Sequence, residues 1–182
     1  SGADVALING GGVRADIPAG DFTYEDALTV HPFGNAMCVV EVTGQQILDA
    51  LEMGARKYPE ESGGFWQVSG LTYVVDASIA SSVVLDEEGL FVSVDGDYRV
   101  KDVVVGDSPL DLAASYTLAG NNYHIKSFGD GMAMFEGATM ILDETMLDNQ
   151  VLISYIRDVL GGVIPAAYED PYGQGRITIL TE

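Results

Sequence analysis

Positively charged side chains are scarce in this sequence. Eight Lys and Arg residues stand against 28 Asp and Glu residues, which leaves a formal net charge of −20 on 182 residues. Nucleic acids and anionic membrane surfaces are bound through clustered basic side chains, because their phosphates carry negative charge. The composition therefore predicts no nucleic-acid partner and no electrostatic attraction to a membrane.

Long apolar runs are also missing. No segment approaches the roughly 20 apolar residues that a membrane-spanning helix needs, so we expect no membrane insertion by this segment. The amino end, Ser1-Gly2-Ala3, does not resemble a signal peptide and is compatible with an excised fragment. An apolar content of 47% over 182 residues suits a single domain with its own core, which we expect to span residues 1–182.

Cysteine and histidine are nearly absent. The single cysteine, Cys38, excludes an internal disulfide and a Cys-based zinc site, and its apolar neighbours predict a buried, inert thiol. The two histidines, His31 and His124, lie far apart in sequence and belong to no metal-binding motif, so we expect no metal site in this chain. No Gly-x-Ser-x-Gly nucleophile motif occurs either. We therefore predict no catalytic residue.

Short strands with a few helices dominate the predicted secondary structure. Strands are indicated by apolar runs and alternation between turn residues, and helices by 3.6-residue periodicity. The strands mostly follow one another instead of alternating with helices, which favours an α+β fold: a mixed β-sheet with a few flanking helices. The predicted strands are 5–8, 37–42, 71–76, 90–94, 98–105, 116–120 and 177–180.

Capping patterns delimit the helices. Thr23, followed by acidic residues, predicts the start of a short helix. Thr43 and Gln46 have the capping-box spacing at the start of a helix over 43–58, with basic residues in its last turn. A further helix is expected over 147–160. Two turns are expected as well: a hairpin at Asp95-Gly96 joining strands 90–94 and 98–105, and a turn over 106–109.

A glycine-rich loop follows the first predicted strand. Gly10, Gly11 and Gly12 lead to Arg14. The backbone N–H groups of such a loop can bind an anion, and the arginine fork matches phosphate oxygens or ribose hydroxyls. The alternatives are a tight structural turn and a surface salt bridge from Arg14 to one of the many acids. The loop matches neither the dinucleotide-binding nor the P-loop pattern.

A second loop presents an aromatic residue. Phe33 lies between Pro32 and Gly34, and Asn35 follows. An aromatic ring on such a loop can stack on a nucleobase, which contributes roughly 1 to 3 kcal/mol, and Asn35 adds a donor and an acceptor beside it. The alternative is that Phe33 belongs to the core.

Polar and aromatic residues also concentrate in the glycine-bearing stretch 119–135, as is typical of binding loops. Tyr123 could face Phe33 across a base. Asp130 could accept a hydrogen bond from a ribose hydroxyl or a base N–H. The alternative for Asp130 is a turn aspartate within Gly-Asp-Gly.

Five segments occur in an order and spacing that resemble a known family. They are INGGGVRADIPAGDFTYEDALTVHPFGN, TGQQILDALE, GGFWQVSGLTYVVD, YTLAGNNY and FGDGMAMF. Together they resemble the carboxy-terminal domain of the 5′-nucleotidase family, which includes UDP-sugar hydrolases and 2′,3′-cyclic-nucleotide phosphodiesterases, over about residues 4–179. The resemblance implies the fold of that domain. It also implies an amino-terminal metallophosphoesterase domain of the same polypeptide, with two divalent metal ions.

The resemblance implies roles for seven residues of this chain. The segment from Tyr123 to Asp130 is one residue longer than the common family form, and Phe128 replaces a glycine, so we expect a differently shaped loop. The implied contacts are Asn9 to the nucleoside, Arg14 to the phosphate, Phe33 and Tyr123 to the two faces of the base, Asn35 to the base edge, Gly64 through its backbone, and Asp130 to the ribose hydroxyls.

The combined interpretation is the substrate-recognition domain of a metal-dependent nucleotide phosphohydrolase. The resemblance implies an extracellular, periplasmic or cell-surface location, and the isolated chain is expected to be inactive. The alternative is a free-standing, non-catalytic module for ligand binding or surface interaction. Stacking tolerates every base, so the sequence does not separate nucleoside monophosphates, UDP-sugars and cyclic nucleotides as substrates.

Overall fold

A computed structural model describes residues 1–170 and 174–181 of the chain. The helices are α1 (Tyr24–Val30), α2 (Gly44–Ala55), α3 (Asn122–Ile125) and α4 (Asp148–Ser154). The strands are β1 (Val5–Asn9), β2 (Met37–Thr43), β3 (Trp66–Ser69), β4 (Leu71–Asp76), β5 (Val83–Leu85), β6 (Phe91–Val94), β7 (Val100–Val105), β8 (Ser108–Pro109), β9 (Ser115–Asn121), β10 (Thr139–Leu142) and β11 (Ile177–Leu180).

The described strands form two larger sheets and a ribbon. The first sheet has the order β10-β2-β9-β1-β3, with β1 and β9 parallel and the other neighbours antiparallel. The second has the order β11-β4-β7-β8, with β11 and β4 parallel, and β5 pairs with β6 alone. Mixed sheets with a few helices confirm the predicted α+β fold.

Helix α2 is the central packing element. It contacts β2 and β3 of the first sheet and β7 of the second, and Ile47 and Leu51 are completely buried. Burying a side chain of this size stabilises the fold by about 1.5 to 3 kcal/mol. The predicted capping box is present: the Thr43 side chain accepts from the backbone of Gln46, and the Gln46 side chain accepts from the backbone of Thr43.

The carboxyl end of α2 differs from the prediction. The helix ends at Ala55, whereas the periodicity predicted residue 58, so Arg56 lies beyond its last turn. The buried guanidinium of Arg99 donates to the carbonyl oxygens of Ala55 and Tyr58 at 3.0 and 2.9 Å. The bond to Ala55 satisfies a carbonyl group that the last turn of the helix leaves free, and the bond to Tyr58 fixes the segment that follows. A residue 44 positions away in sequence therefore terminates the helix.

The prediction of a hairpin at Asp95-Gly96 is wrong, because the two flanking strands belong to different sheets. Strand β6 pairs with β5, and β7 pairs with β4 in another sheet. The N–H of Asp95 donates to the carbonyl of Ser82, which extends the β5–β6 ribbon. The hydroxyl of Tyr98 donates to Asp49 of α2 at 2.7 Å and so directs the chain toward the second sheet. Long-range partners override the local turn preference here.

Other predicted elements have close counterparts. The capping box at the start of α1 joins Thr23 to Asp26. The helix expected over 147–160 is α4, which widens into a π-helical turn over Tyr155–Val159. The turn expected over 106–109 contains Gly106, at φ +59°, and leads into β8. The strands β3, β5, β8 and β10 were not predicted, and they are short, with 4, 3, 2 and 4 residues.

The sheet order explains why distant loops meet. Strands β1 and β9 are parallel, so both end at the same edge of the first sheet. Strand β3 is antiparallel to β1 and starts at Trp66, opposite Asn9. Strand β2 is antiparallel to β9 and starts at Met37, opposite Asn121. Four loops therefore converge at one edge of the first sheet. They are the loops that follow β1 and β9 and the loops that precede β2 and β3.

Candidate functional site

The glycine loop after β1 is packed tightly against the loop before β3. The N–H groups of Gly10 and Gly11 donate to the carbonyl oxygens of Phe65 and Gly63 at 2.8 and 2.9 Å. A Cβ atom at Gly11 would lie only 2.9 Å from the Cα of Gly63, so the close approach requires glycine. Two of the loop amides thus have structural partners. The loop is a tight turn that also forms one wall of the site.

Asn9, the last residue of β1, lies at the floor of the site. Its side chain is 8% exposed, and Nδ2 donates to Oδ2 of Asp130 at 3.2 Å. Its Oδ1 atom is buried, has no hydrogen-bond partner among the described residues, and faces Gly12. Asn9 therefore joins the glycine wall to the loop that carries Asp130.

Asp130 has an unusual backbone conformation. It lies in the short turn Gly129–Gly131 at φ +56°, and Phe128 just before it is at φ +52°. The left-handed region is strained for a bulky residue such as Phe, while Asp tolerates it better. Gly64 packs behind Asp130, because a Cβ atom at Gly64 would lie 3.1 Å from the Cβ of Asp130. Gly64 thus lies against the loop that carries Asp130, and its predicted backbone contact with the ligand stays a prediction.

Two residues next to Asp130, His124 and Arg56, were not among the predicted site residues. His124 is 1% exposed, and its Nε2 lies 3.0 Å from Oδ2 of Asp130. The hydrogen bond from His124 is the main cause that holds the pKa of Asp130 below its usual range. Arg56, at the end of α2, donates to the Asp130 carbonyl at 3.5 Å, and burial lowers its pKa. His124 is six residues from Asp130 in the sequence, whereas Arg56 is 74 residues away and reaches it only through the fold.

The aromatic residues Phe33 and Tyr123 are unusually exposed for their size. Phe33 is 59% and Tyr123 is 41% exposed, so neither belongs to the core. The alternative that Phe33 is a core residue is therefore wrong. Both rings line one open cavity of about 490 Å³, a volume suited to a small organic ligand. Its lining is Asn9, Gly11, Gly12, Phe33, Asn35, Gly63, Tyr123 and Asp130.

Arg14 lies at the margin of this cavity. Its guanidinium carbon is 5.8 Å from the centre of the Phe33 ring, within the range of a cation–π contact. One guanidinium nitrogen donates to the carbonyl of Gly11 at 3.3 Å. The structure shows no salt bridge from Arg14 to any described acid, so the predicted alternative of a surface ion pair does not hold. Arg14 as a whole is exposed to solvent.

Five of the seven predicted residues line one cavity: Asn9, Phe33, Asn35, Tyr123 and Asp130. Arg14 and Gly64 lie beside it, and their contacts are with Phe33 and Asp130. These residue types offer two aromatic faces, two amides and a carboxylate to one ligand. This combination suits a planar ring joined to a polyhydroxylated group.

The described part of the chain contains neither a metal-binding cluster nor a membrane-spanning helix. Residues 1–170 and 174–181 contain no cluster of three or more His, Cys, Asp or Glu residues that could hold a metal ion. Over the same residues, no helix is both long and apolar enough to cross a bilayer. Cys38, predicted to be buried, is completely buried, and burial is the main cause that raises the pKa of its thiol.

Comparison with known proteins finds relatives among the 5′-nucleotidases. The chain is 42% identical over 154 residues to the 5′-nucleotidase of Vibrio parahaemolyticus, covering 85% of this chain and 24% of that protein. It is 33% identical over 154 residues to the 5′-nucleotidase of Vibrio cholerae, with the same coverage. The crystal structure of a 5′-nucleotidase precursor from Thermus thermophilus superimposes with a TM-score of 0.80 at 35% identity, over 100% of this chain and 32% of that chain.

The chain spans about 24% of the length of the curated relatives it matches. The family model described as 5′-nucleotidase, C-terminal domain, matches residues 1–137, which is most of the 182-residue chain. The family match and the fold shared with the Thermus thermophilus protein identify the same family. The chain belongs to the family of 5′-nucleotidase carboxy-terminal domains.

Proposed function

We propose that this chain is the substrate-recognition domain of a metal-dependent nucleotide phosphohydrolase. The observation that carries the proposal is the cavity that Phe33, Asn35, Tyr123 and Asp130 line together. In the proposed complex the base stacks between Phe33 and Tyr123. The amide of Asn35 bonds the base edge, and Asp130 accepts from the ribose hydroxyls.

The phosphate end of the ligand is assigned to Arg14 in this proposal. Its guanidinium lies next to Phe33, so one nucleotide can reach both residues. A net charge of −20 repels a phosphate at long range, so binding depends on short-range donors and on stacking. Asn9 would contact the nucleoside from the cavity floor. Gly64 would act through its backbone beside Asp130.

Hydrolysis itself is assigned to another part of the polypeptide. The chain covers about a quarter of its relatives' length, which leaves room for an upstream metallophosphoesterase domain. That domain would hold two divalent metal ions, which activate water for attack on phosphorus. We expect the present chain to bind substrate without turnover. An extracellular, periplasmic or cell-surface location is part of the same proposal.

A ligand titration followed by amide NMR tests the recognition role. Adenosine, AMP and UDP-glucose are added separately to the chain, and shifts are expected at Gly11, Gly12, Phe33, Tyr123 and Asp130. Loss of one stacking face in Phe33→Ala removes about 1 to 3 kcal/mol, so the Kd for adenosine should rise about 5- to 150-fold.

The matched control is Tyr24→Ala. Tyr24 is 60% exposed and does not line the cavity, whereas Phe33 is 59% exposed. Both variants delete an exposed aromatic ring, so both should keep the dispersed spectrum of the folded chain. Shifts absent at millimolar ligand, or an equal loss of affinity in the two variants, would contradict the base-binding role. Binding of none of the three ligands would favour the non-catalytic interaction module.

A further inference from the structure

The imidazole of His124 is buried beside Asp130, which lines the candidate cavity. The residue is 1% exposed, and its ring packs edge-on against Trp66 and Tyr123 with centroid distances of 4.7 and 4.8 Å. Its Nδ1 lies 2.7 Å from Oδ1 of Asn121, and its Nε2 lies 3.0 Å from Oδ2 of Asp130. Both ring nitrogens therefore have a polar partner.

Both partners of the ring are hydrogen-bond acceptors. The backbone N–H of His124 also donates to Oδ1 of Asn121, at 3.1 Å, which identifies that atom as the amide oxygen. The other partner is a carboxylate oxygen of Asp130. A neutral imidazole carries only one N–H, so it cannot donate to both acceptors. The arrangement needs one more proton, on the ring or on Asp130.

The contacts of Asp130 assign that proton to the ring. Oδ2 of Asp130 accepts a hydrogen bond from Nδ2 of Asn9 at 3.2 Å, and an accepted hydrogen bond favours the ionised carboxylate. The ionisable groups in contact with this pair are the phenol of Tyr123, whose ring packs on His124, and the guanidinium of Arg56, which donates to the Asp130 carbonyl; Arg14 lies further out, at the margin of the cavity. A buried imidazolium is tolerable because both of its N–H groups are paired.

We propose that His124, as an imidazolium, is the positioning residue that holds Asp130 as a hydroxyl acceptor, so that binding of a vicinal sugar diol depends on the His124 proton. The proposal rests on the proposed nucleotide-binding function. Oδ2 of Asp130 is occupied by two protein donors, whereas Oδ1 has no donor among the described residues. Since Asp130 lines the cavity, Oδ1 is the atom assigned to the ligand hydroxyls.

The proposal fixes the direction in which ligand affinity changes with pH. Asn121 holds the Nδ1 proton, so deprotonation removes the proton from Nε2. A lone pair then faces the carboxylate of Asp130, and the two groups repel each other. Asp130 loses its orienting contact, and affinity for a hydroxylated ligand falls as pH rises. A ligand without the two hydroxyls does not use Asp130, so its affinity should not follow this titration.

The first measurement is ¹⁵N NMR of the histidine side chains in the ligand-free chain. We expect His124 to carry a proton on both ring nitrogens and to lose the Nε2 proton as pH rises. His31 is the internal reference, because it is the only other histidine and its buried Nδ1 has no hydrogen-bond partner among the described residues. A His124 ring with a single N–H at every pH where the chain is folded would overturn the proposal, whether or not nucleosides bind.

The second measurement compares adenosine with 2′,3′-dideoxyadenosine over the same pH range. Adenosine affinity should fall roughly tenfold as His124 loses its proton, since a charge-assisted hydrogen-bond network is lost, and dideoxyadenosine affinity should stay level. His124→Gln keeps a neutral donor and should show weaker adenosine binding without this pH dependence. His124→Leu should lower adenosine affinity at least as much; if it does not fold, His124→Gln and the wild-type titration decide.

The outcomes separate this inference from the proposed function. Adenosine affinity that ignores a clear His124 titration overturns the role of His124 and leaves the proposed function intact. Equal pH dependence for the two nucleosides also overturns the role of His124 and leaves the proposed function intact, because the pH effect then does not require the sugar hydroxyls. Failure of both nucleosides to bind overturns the proposed function, and the diol inference with it.

Discussion

The ring of Tyr123 lies directly on the backbone of Gly129. A Cβ atom added at residue 129 would overlap the ring, with Cζ, Cε1 and Cδ1 as its nearest neighbours. Gly129 itself is not in the left-handed region, although Phe128 and Asp130 on either side of it are. The missing side chain at 129 therefore serves the Tyr123 ring, and it determines where that wall of the cavity stands.

Gly129→Ala should displace the Tyr123 ring and weaken ligand binding. The backbone accepts Ala at this φ, so the expected cost in unfolding free energy is only that of overpacking, about 1 to 3 kcal/mol. Adenosine affinity should fall roughly tenfold, because one stacking face moves. The measurement is calorimetric titration of the folded variant with adenosine.

A double-mutant cycle provides the control for this substitution. In a Tyr123→Ala background, Gly129→Ala has no ring to displace and should change adenosine affinity little further. Residues in contact show such non-additivity, whereas independent residues add. Additive losses in the double variant would contradict the role assigned to Gly129.

Asp130→Asn should discriminate between nucleosides by their hydroxyls. Asn tolerates the left-handed φ of +56° at this position, so the loop should keep its shape. The amide is a weaker acceptor than a carboxylate, and losing a charged hydrogen bond costs about 1.5 to 3 kcal/mol. Adenosine should bind about 10- to 150-fold more weakly. Binding of 2′,3′-dideoxyadenosine serves as the control, and an equal loss for both ligands would refute the assignment.

Arg14→Ala should weaken AMP binding more than adenosine binding. The exposed guanidinium is assigned to the phosphate, so its removal should cost AMP about tenfold at low salt and less at high salt. The matched control is Arg157→Ala, which changes the net charge equally and removes an exposed arginine paired with Asp158. If both variants reduced AMP affinity to the same extent, a general charge effect would explain the result instead of a contact.

Gly54→Ala should destabilise the fold even though it lies inside helix α2. Helix propensity alone predicts a gain of about 1 kcal/mol. A Cβ atom at Gly54 would overlap the Trp66 indole, however, and that indole is 1% exposed and donates to the Ala50 carbonyl at 2.7 Å. The ring has no room to yield, so a net loss of about 1 to 3 kcal/mol is expected in urea unfolding.

A smaller residue at Trp66 tests the cause of that loss. Combining Gly54→Ala with Trp66→Leu should cost less than the sum of the two single changes, because the shorter side chain leaves space for the new methyl group. A stabilised Gly54→Ala variant would show that helix propensity outweighs the contact with Trp66.

Glu52→Gln should flatten the dependence of stability on pH. Glu52 is completely buried, and desolvation raises the pKa of its carboxyl above the ordinary value of 4.5. Above that value the unfolded chain loses its proton before the native state does, so this group makes unfolding free energy fall as pH rises through the raised pKa. Glutamine has no proton to lose and removes this contribution.

The readout for Glu52 is the difference between two pH profiles of unfolding free energy. Wild type and variant share the other 27 acids, so their common repulsion cancels in the difference. The unfolding free energy of the variant minus that of wild type should increase as pH rises above about 4.5, the unfolded value of the glutamate pKa, and level off once the native carboxyl is ionised. Parallel profiles would show that Glu52 titrates normally in the folded chain.

Much of the fold was predictable where the interactions are local. The capping boxes at Thr23 and Thr43 each involve a partner three residues away, so the chain sequence displays both partners together. The hairpin at Asp95-Gly96 was mispredicted for the opposite reason. Its turn residues are suitable, but Ser82 and Asp49 hold the flanking residues in other pairings, and neither is visible from the turn.

The residues of the candidate site also differ in whether the sequence predicts them. Phe33, Asn35 and Asp130 were predicted by residue type, glycine-bearing loops and family resemblance, and they line one cavity. His124 was not predicted as a site residue, because its importance comes from contacts made through the fold. Its Trp66 contact crosses from β3, and its Asp130 contact depends on a loop with two left-handed residues.

By itself, the sequence determined the acidic surface, the single buried thiol, the local helix starts and the residue types offered to a ligand, because each depends on composition or on neighbours a few positions apart. Only the tertiary structure decided that α2 ends at Ala55, that Tyr123 rests on Gly129, and that His124 faces both Asn121 and Asp130. The end of α2 depends on Arg99, which lies 44 residues from Ala55 in the sequence. The positions of Tyr123 and His124 depend on the backbone of the loop that holds Phe128 and Asp130 in left-handed conformations, which residue types a few positions apart do not specify.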